Sequence, residues 1–199
     1  MKLSLKRTCK RFFSSIKITP SKYHTKNWRK NQDWYKNGKS NECELYQKEL
    51  IKKITNNPIE KCDKRFNIID YSFQSLKYPN KNIDGYEYTE DIDLYQKIDD
   101  KELYYNLKMV CDKGGVQTRT LREVYHFMIC QFEFLLKIND PKIYFINILD
   151  GDECYKNKSK FLYLKKKEKY FDVRENIFIG SMYQFRKWYD KNFYLEYSK

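Results

Sequence analysis

Apolar and polar positions alternate along residues 86–98, where Tyr86, Tyr88, Ile92 and Leu94 are interleaved with acids and other polar side chains. Alternation with period two predicts a strand with one face buried. A second apolar run, Leu103, Tyr104, Tyr105, Leu107, Met109 and Val110 within residues 103–111, predicts a partner strand, and Asp99, Asp100 and Lys101 make a tight turn between the two. The period then changes. Leu121, Val124, Tyr125, Met128, Phe132 and Leu135 recur at three-and-four spacing, which predicts a helix over residues 118–138 with Thr118 as its N-cap. Asn139, Asp140 and Pro141 stop it.

Residues 142–149 form a continuous apolar run, as expected of a strand buried on both faces. Upstream, Cys43, Leu50, Ile51 and Ile54 share one face of a helix over residues 41–55, residues 66–73 read as a strand, and residues 77–85 read as a loop. Downstream, residues 159–164 read as a helix, residues 176–179 as a strand stopped by Gly180, and residues 182–194 as a closing helix. The order predicts an α/β (α+β) domain, a mixed central sheet flanked by helices.

Charge divides the chain. The formal net charge is +13, yet residues 1–40 hold twelve Lys and Arg against the single acid Asp33. The basic character belongs to an N-terminal arm (residues 1–40) rather than to the domain (residues 41–199). Such an arm fits contact with nucleic-acid phosphates, a targeting peptide over residues 1–21, or a solvated tail. Trp28, Trp34 and Tyr35 suggest that its end docks on the body. Six cysteines occur with no C-x-x-C pair, and two histidines cannot build a zinc site with them, so reduced thiols in an intracellular, reducing compartment are expected. No apolar run approaches the roughly 18 residues needed to span a bilayer, so no membrane partner is expected.

The candidate chemistry sits on the predicted hairpin. Asp91 and Asp93 lie on its first strand, and Asn106 and Lys108, two apart and so on one face, on its second. An acid facing an acid-x-Lys across a hairpin is a way to hold Mg²⁺, or Mn²⁺, and a lysine beside a scissile phosphate. Here an asparagine stands where the second acid belongs. Asp112, further along the same predicted face, is a candidate replacement. Gly114 and Gly115 next to Gln117 and Arg119 suit phosphate contact at a helix start, and Lys113 and Arg122 flank them.

The ordered set of parts resembles the PD-(D/E)XK nuclease superfamily, which includes many type II restriction endonucleases. It comprises a first helix with Glu42 and Glu44, the Asp-bearing strand, the x-x-Lys strand, a helix, a buried strand ending in Leu149, Asp150, Gly151 and Asp152, and a terminal strand and helix. The stretches at residues 112–127, 144–152 and 177–182 are also similar, and together the parts cover about residues 41–195. The resemblance implies a restriction-endonuclease-like fold and Mg²⁺-dependent cleavage of double-stranded DNA. It matches Asp93 to the first metal-binding acid, Asn106 to the second acid, Lys108 to the lysine, and Glu44 or Glu42 to a first-helix acid. Lys113, Gln117, Arg119 and Arg122 would contact DNA. A palindromic target would suggest a homodimer, although no interface is legible. Two other classes stay open: a catalytically inactive DNA-binding protein of the same fold, and an interaction protein whose basic arm binds an acidic partner.

Overall fold

A computed structural model describes residues 24–36, 40–76 and 85–194. The expectations placed on residues 1–23, including the targeting peptide and Cys9, and on most of the 77–85 loop lie outside the described residues.

The domain is a five-stranded mixed sheet with helices on both faces. In chain order the elements are α1 (Thr25–Lys30), α2 (Ser40–Thr55), β1 (Glu60–Lys61), β2 (Lys64–Phe66), β3 (Phe73–Ser75), β4 (Leu94–Ile98), β5 (Lys101–Met109), α3 (Gly115–Ile138), β6 (Ile143–Asp150), α4 (Asp152–Leu162), β7 (Ile177–Gly180) and α5 (Met182–Tyr189). A π-helical turn, Asp190–Tyr194, extends α5. The sheet order is β1-β4-β5-β6-β7, with β2 and β3 as a separate hairpin. β1, β4 and β5 are antiparallel neighbours, whereas β5, β6 and β7 run parallel, joined by crossovers through α3 and α4.

Side-chain alternation sorts the core into two halves. Leu103, Tyr105 and Leu107 of β5, with Ile146 and Ile148 of β6, face α2 and α5. Tyr104 of β5, with Phe145 and Leu149 of β6, faces α3 and α4. β6 is thus buried on both faces, which explains its apolar run from Ile143 to Leu149, interrupted only by Asn147. The β4–β5 hairpin is paired from Leu94↔Tyr105 to Ile98↔Lys101, leaving a two-residue turn in which Asp99 takes the left-handed conformation at φ 55°.

Several boundaries differ from expectation. Residues 66–73 are not one strand. They form the hairpin β2–β3, because the Asn67 side chain accepts the Ile69 N–H at 2.8 Å and Tyr71 turns left-handed at φ 58°. Local side-chain bonding of this kind competes with strand formation. The first strand of the predicted pair is likewise shorter than residues 86–98. Up to Ile92 the chain bonds to the β2–β3 segment instead, with Ile68 N–H to Glu87 O, Thr89 N–H to Phe66 O and Ile92 N–H to Lys64 O. The segment enters the main sheet only at Asp93, whose N–H donates to Tyr105 O at 3.0 Å. α3 begins at Gly115, and Thr118 is inside it rather than its cap, donating its hydroxyl to Gly114 O at 2.9 Å. α4 starts at Asp152, seven residues before the expected 159. Its entry needs Gly151: at φ +101° this residue passes so close to Val110 that a Cβ would lie 2.4 Å from Val110 O.

The end of the basic arm is part of the folded body. Trp34 stacks on Tyr46 of α2 with ring centroids 4.4 Å apart, and Trp28 leans on the same ring at 5.7 Å. Asp152 accepts the His24 and Lys26 N–H groups at the start of α1. No helix among the described residues is long and apolar enough to cross a membrane.

Candidate active site

Because β4 runs antiparallel to β5, the start of β4 and the end of β5 lie at the same end of the sheet. Asp93 immediately precedes β4, and Lys108 is the penultimate residue of β5. Both line one pocket of about 400 Å³, closed on another side by Glu44, Leu45 and Lys48 of α2, with Glu90 and Asp91 at its rim.

Asp93 is largely buried. Its Oδ2 accepts the Leu107 N–H at 2.6 Å. Burial pushes its carboxyl up to about 6, although the Lys108 ammonium and the Leu107 N–H favour the charged form, and nearby Glu44 and Glu90 oppose it. Burial works against the Lys108 charge as well. There Asp93, Glu90 and Glu44 outweigh it and hold the ammonium above the ordinary lysine value. Lys108 reaches Glu90 Oε2 at 3.4 Å. Asp91 lines the same pocket but pairs with Arg65. The pocket therefore gathers carboxylates around one lysine, with its innermost acid poorly solvated.

Asn106 is elsewhere. It is 2% exposed and does not line this pocket. Its Nδ2 donates to Asn147 Oδ1 at 3.0 Å, on the strand in register beside it. Asn147 and Gln131 of α3 exchange a reciprocal pair of amide hydrogen bonds, at 2.7 and 3.1 Å. The three amides form a ladder that ties β5, β6 and α3 together inside the core. Asp112 does not join the pocket either. β5 ends at Met109, Val110 N–H bonds Asp150 O, and Asp112 pairs with Lys26 of α1. The strand alternation that would have aligned residue 112 with residue 108 stops before reaching it.

Asp150 is a further buried acid at the end of β6. Its two oxygens accept Gln47 Nε2 at 2.8 Å and the Met182 N–H at 3.1 Å, joining α2, β6 and the start of α5. Burial pushes it up to about 6 against both hydrogen bonds. It is held as a structural cross-link and does not line the Asp93 pocket.

Of the four basic or amide residues expected to contact DNA, Lys113, Gln117 and Arg122 line a separate, larger cleft between α3 and α4. Arg119 points away and pairs with Glu123 at 3.5 Å along the exposed helix. Sequence reasoning passed over Glu90 and Lys48 at the first pocket. Glu90 lay in the alternating run that carries Asp93, and Lys48 is one helical turn from Glu44, so both were within reach of a spacing argument. His126 is exposed on α3, away from both pockets.

Oxygen donors of this kind suit Mg²⁺, which is commonly held by one or two carboxylates together with waters and substrate phosphate rather than by a complete protein cage. The pocket fits that pattern through Asp93 and Glu44. Among the described residues no three His, Cys, Asp or Glu side chains converge tightly enough to form a ready-made cage. Comparison with protein-family models, with curated proteins and with solved structures gives no match.

Proposed function

We propose that the domain hydrolyses phosphodiester bonds of double-stranded DNA with Mg²⁺, in the manner of the PD-(D/E)XK nucleases that its ordered parts resemble. The observation that carries this reading is the meeting of Asp93 and Lys108, from adjacent antiparallel strands, in one pocket with Glu44. The element order α2, β1, β4, β5, α3, β6, with β4 between β1 and β5, also supports it.

In this reading Asp93 and Glu44 would hold Mg²⁺, which when bound supplies Lewis-acid stabilisation of the phosphate charge. Lys108 places a protonated amine where negative charge builds on the scissile phosphate, and Glu90 orients it. The burial that raises Asp93 also strengthens its attraction for any cation that enters. The contribution of Lys108 is electrostatic and is largest where water is excluded. Lys113, Gln117 and Arg122 would engage the DNA strand beyond the pocket, and the basic arm would add phosphate contacts whose strength falls steeply with salt.

One observation favours a second reading, a DNA-binding protein of the same architecture without catalysis. The residue in the second-acid position is sealed in the amide ladder, so the pocket has no carboxylate from that strand. Incubating supercoiled plasmid with the purified chain and Mg²⁺ or Mn²⁺ separates the two. Nicking that disappears in Asp93→Ala and Lys108→Ala supports hydrolysis. Salt-dependent binding without nicking, in wild type and with both metals, leaves only the binding reading.

A further inference from the structure

The cleft between α3 and α4, about 770 Å³ in volume, is larger than the Asp93 pocket. That lies within the range of roughly 300–1,000 Å³ typical of small-molecule sites. It opens beyond the carboxyl ends of β5 and β6, the end of the sheet where open α/β folds place ligands.

Its charges are unbalanced in a specific way. Two acids line it, Asp112 and Glu153, and each is already paired, Asp112 with Lys26 and Glu153 with Lys156 at 2.8 Å. Three cations line it, Lys113, Arg122 and Lys160, and none of them has an ion pair among the described residues. The start of the 24-residue helix α3 adds to this positive character. It carries no side-chain cap and no acid in its first turn, and its Gly114 end lines the cleft with the Gln117 side chain beside it. The positive end of the helix dipole favours negative charge at this end of the cleft.

The rest of the lining is not that of a bare anion site. Leu121 and Tyr125, both partly buried against the core that holds Phe161, form an apolar and aromatic floor, and Tyr163, 57% exposed, stands beside it. Lys167 lies 5.6 Å from the Tyr163 ring centroid and brings another positive charge to the rim. Gln117 supplies an amide able to donate and accept. Cations beside an aromatic floor match a ligand that joins phosphate to a flat heteroaromatic ring. Inorganic phosphate would leave the floor unused, and an acidic peptide would leave the rings without a partner.

We propose that this cleft binds a single nucleotide, its phosphate held by Lys113, Arg122 and Lys160 and its base laid on Tyr125 and Tyr163. The assignment stands on the cleft alone and does not require the hydrolysis reading. The nucleotide has two sources, a free mononucleotide or one unstacked unit of a strand, and both present the same chemistry.

Calorimetric titration of the full chain with thymidine 5′-monophosphate, adenosine 5′-monophosphate, a short oligothymidylate and inorganic phosphate tests it. At least one mononucleotide or the oligonucleotide is expected to bind about tenfold or more tighter than phosphate. Arg122→Glu and Lys160→Glu, both at exposed positions, should each weaken that binding by about tenfold or more without changing the circular dichroism. Tyr163→Ser should weaken nucleotide binding and spare phosphate binding, a split that loss of a general cationic surface would not produce. Tight mononucleotide binding identifies a free-nucleotide site, whereas tight binding of the oligonucleotide alone identifies a strand site. Equal affinity for phosphate and every nucleotide, or charge reversals without effect, overturns the proposal. A wild type that binds nucleotide but never cuts DNA would remove the hydrolysis reading and leave this one intact.

Discussion

Strand β5 takes part in both a sealed amide ladder, shared with β6, and a charged pocket at the sheet's end, shared with β4. Asn106 and Lys108 are neighbours two apart on β5, yet their surroundings are unlike. Asn106 and Asn147, with Gln131 from α3, bond to one another inside the core. At the pocket, Asp93 is largely buried with a carboxyl pushed up to about 6, and Lys108 balances three acids. Buried polarity that is satisfied serves the fold. Buried charge kept against its own solvation cost, in an open pocket, is what functional sites display. The ladder therefore serves the fold, and the pocket is where the proposed hydrolysis would take place.

The largest effect expected from this contrast is on activity. Lys108→Ala and Asp93→Ala should each lower Mg²⁺-dependent plasmid nicking by at least about 10²–10³-fold, the scale of losing one charge-stabilising group. Thermal melts should show that the fold survives, since both residues lie at the sheet's end. Unchanged nicking in either variant would place the chemistry elsewhere.

The next largest effect is on stability and falls on the ladder. Asn106→Leu should cost about 1–3 kcal/mol by leaving Asn147 Oδ1 short of a donor. Asn106→Asp is the sharper test. Read as a lost metal ligand, residue 106 should gain metal affinity or activity as an aspartate. In the ladder, an aspartate would set a carboxylate against the Asn147 carbonyl oxygen, two acceptors in contact, within a site 2% exposed. The expected outcome is a less stable chain with no gain in nicking. A gain in activity would mean that residue 106 can swing to the pocket, and the contrast between the two regions would fail.

The amide ladder also shows where sequence reading runs out. Alternation identified the sheet, the β4–β5 pairing, the long α3 and the buried β6, because periodicity is local and survives in a single chain. It assigned Asn106 and Lys108 to one face but could not say how deep each lies along the strand, which depends on what β6 and α3 bring alongside. Asp93, Lys108 and Glu44 were legible as chemistry-bearing types at suggestive spacing. Their meeting in one pocket depends on where residues 85–92 leave the β2–β3 segment for the main sheet, and no spacing rule states that. Nor was the α3–α4 cleft visible as a unit, since Lys160 near the end of α4 and Tyr163 just after it lie about fifty residues after Lys113.

An effect of similar size and opposite sign concerns Asp93 and pH. Its folded-state carboxyl, near 6, lies above the ordinary 3.8. Below that ordinary value it is protonated whether folded or unfolded and contributes nothing. As pH rises from about 3.8 to 6 the unfolded chain ionises first, so stability falls, and above 6 the whole penalty is present. Asp93→Asn keeps an oxygen for the Leu107 N–H and removes the charge. At pH 8 it should be more stable than wild type by roughly 2–3 kcal/mol in chemical denaturation, and near pH 3.5 the difference should vanish. Mg²⁺ should raise the wild-type melting temperature at pH 8 more than at pH 5 and leave the variant unmoved. A variant less stable than wild type at pH 8 would show that the charge supports the fold, and Asp93 would then belong with the ladder.

The smallest effect is expected at Asp112. On an uninterrupted strand it would sit on the same face as Lys108 and could stand in for the acid absent at residue 106. β5 stops at Met109, however, and the backbone of residue 110 turns toward Asp150 and Glu153. Asp112 is left at the mouth of the nucleotide cleft, partly exposed and paired with Lys26. Exposed pairs of this kind contribute little to stability. Asp112→Ala should therefore leave both the melting temperature and the Mg²⁺-dependent nicking rate nearly unchanged, and it should strengthen nucleotide binding slightly by freeing Lys26 beside the cleft. If nicking instead fell as far as in Asp93→Ala, residue 112 would be supplying the missing carboxylate, and the catalytic pocket would have to include the start of α3.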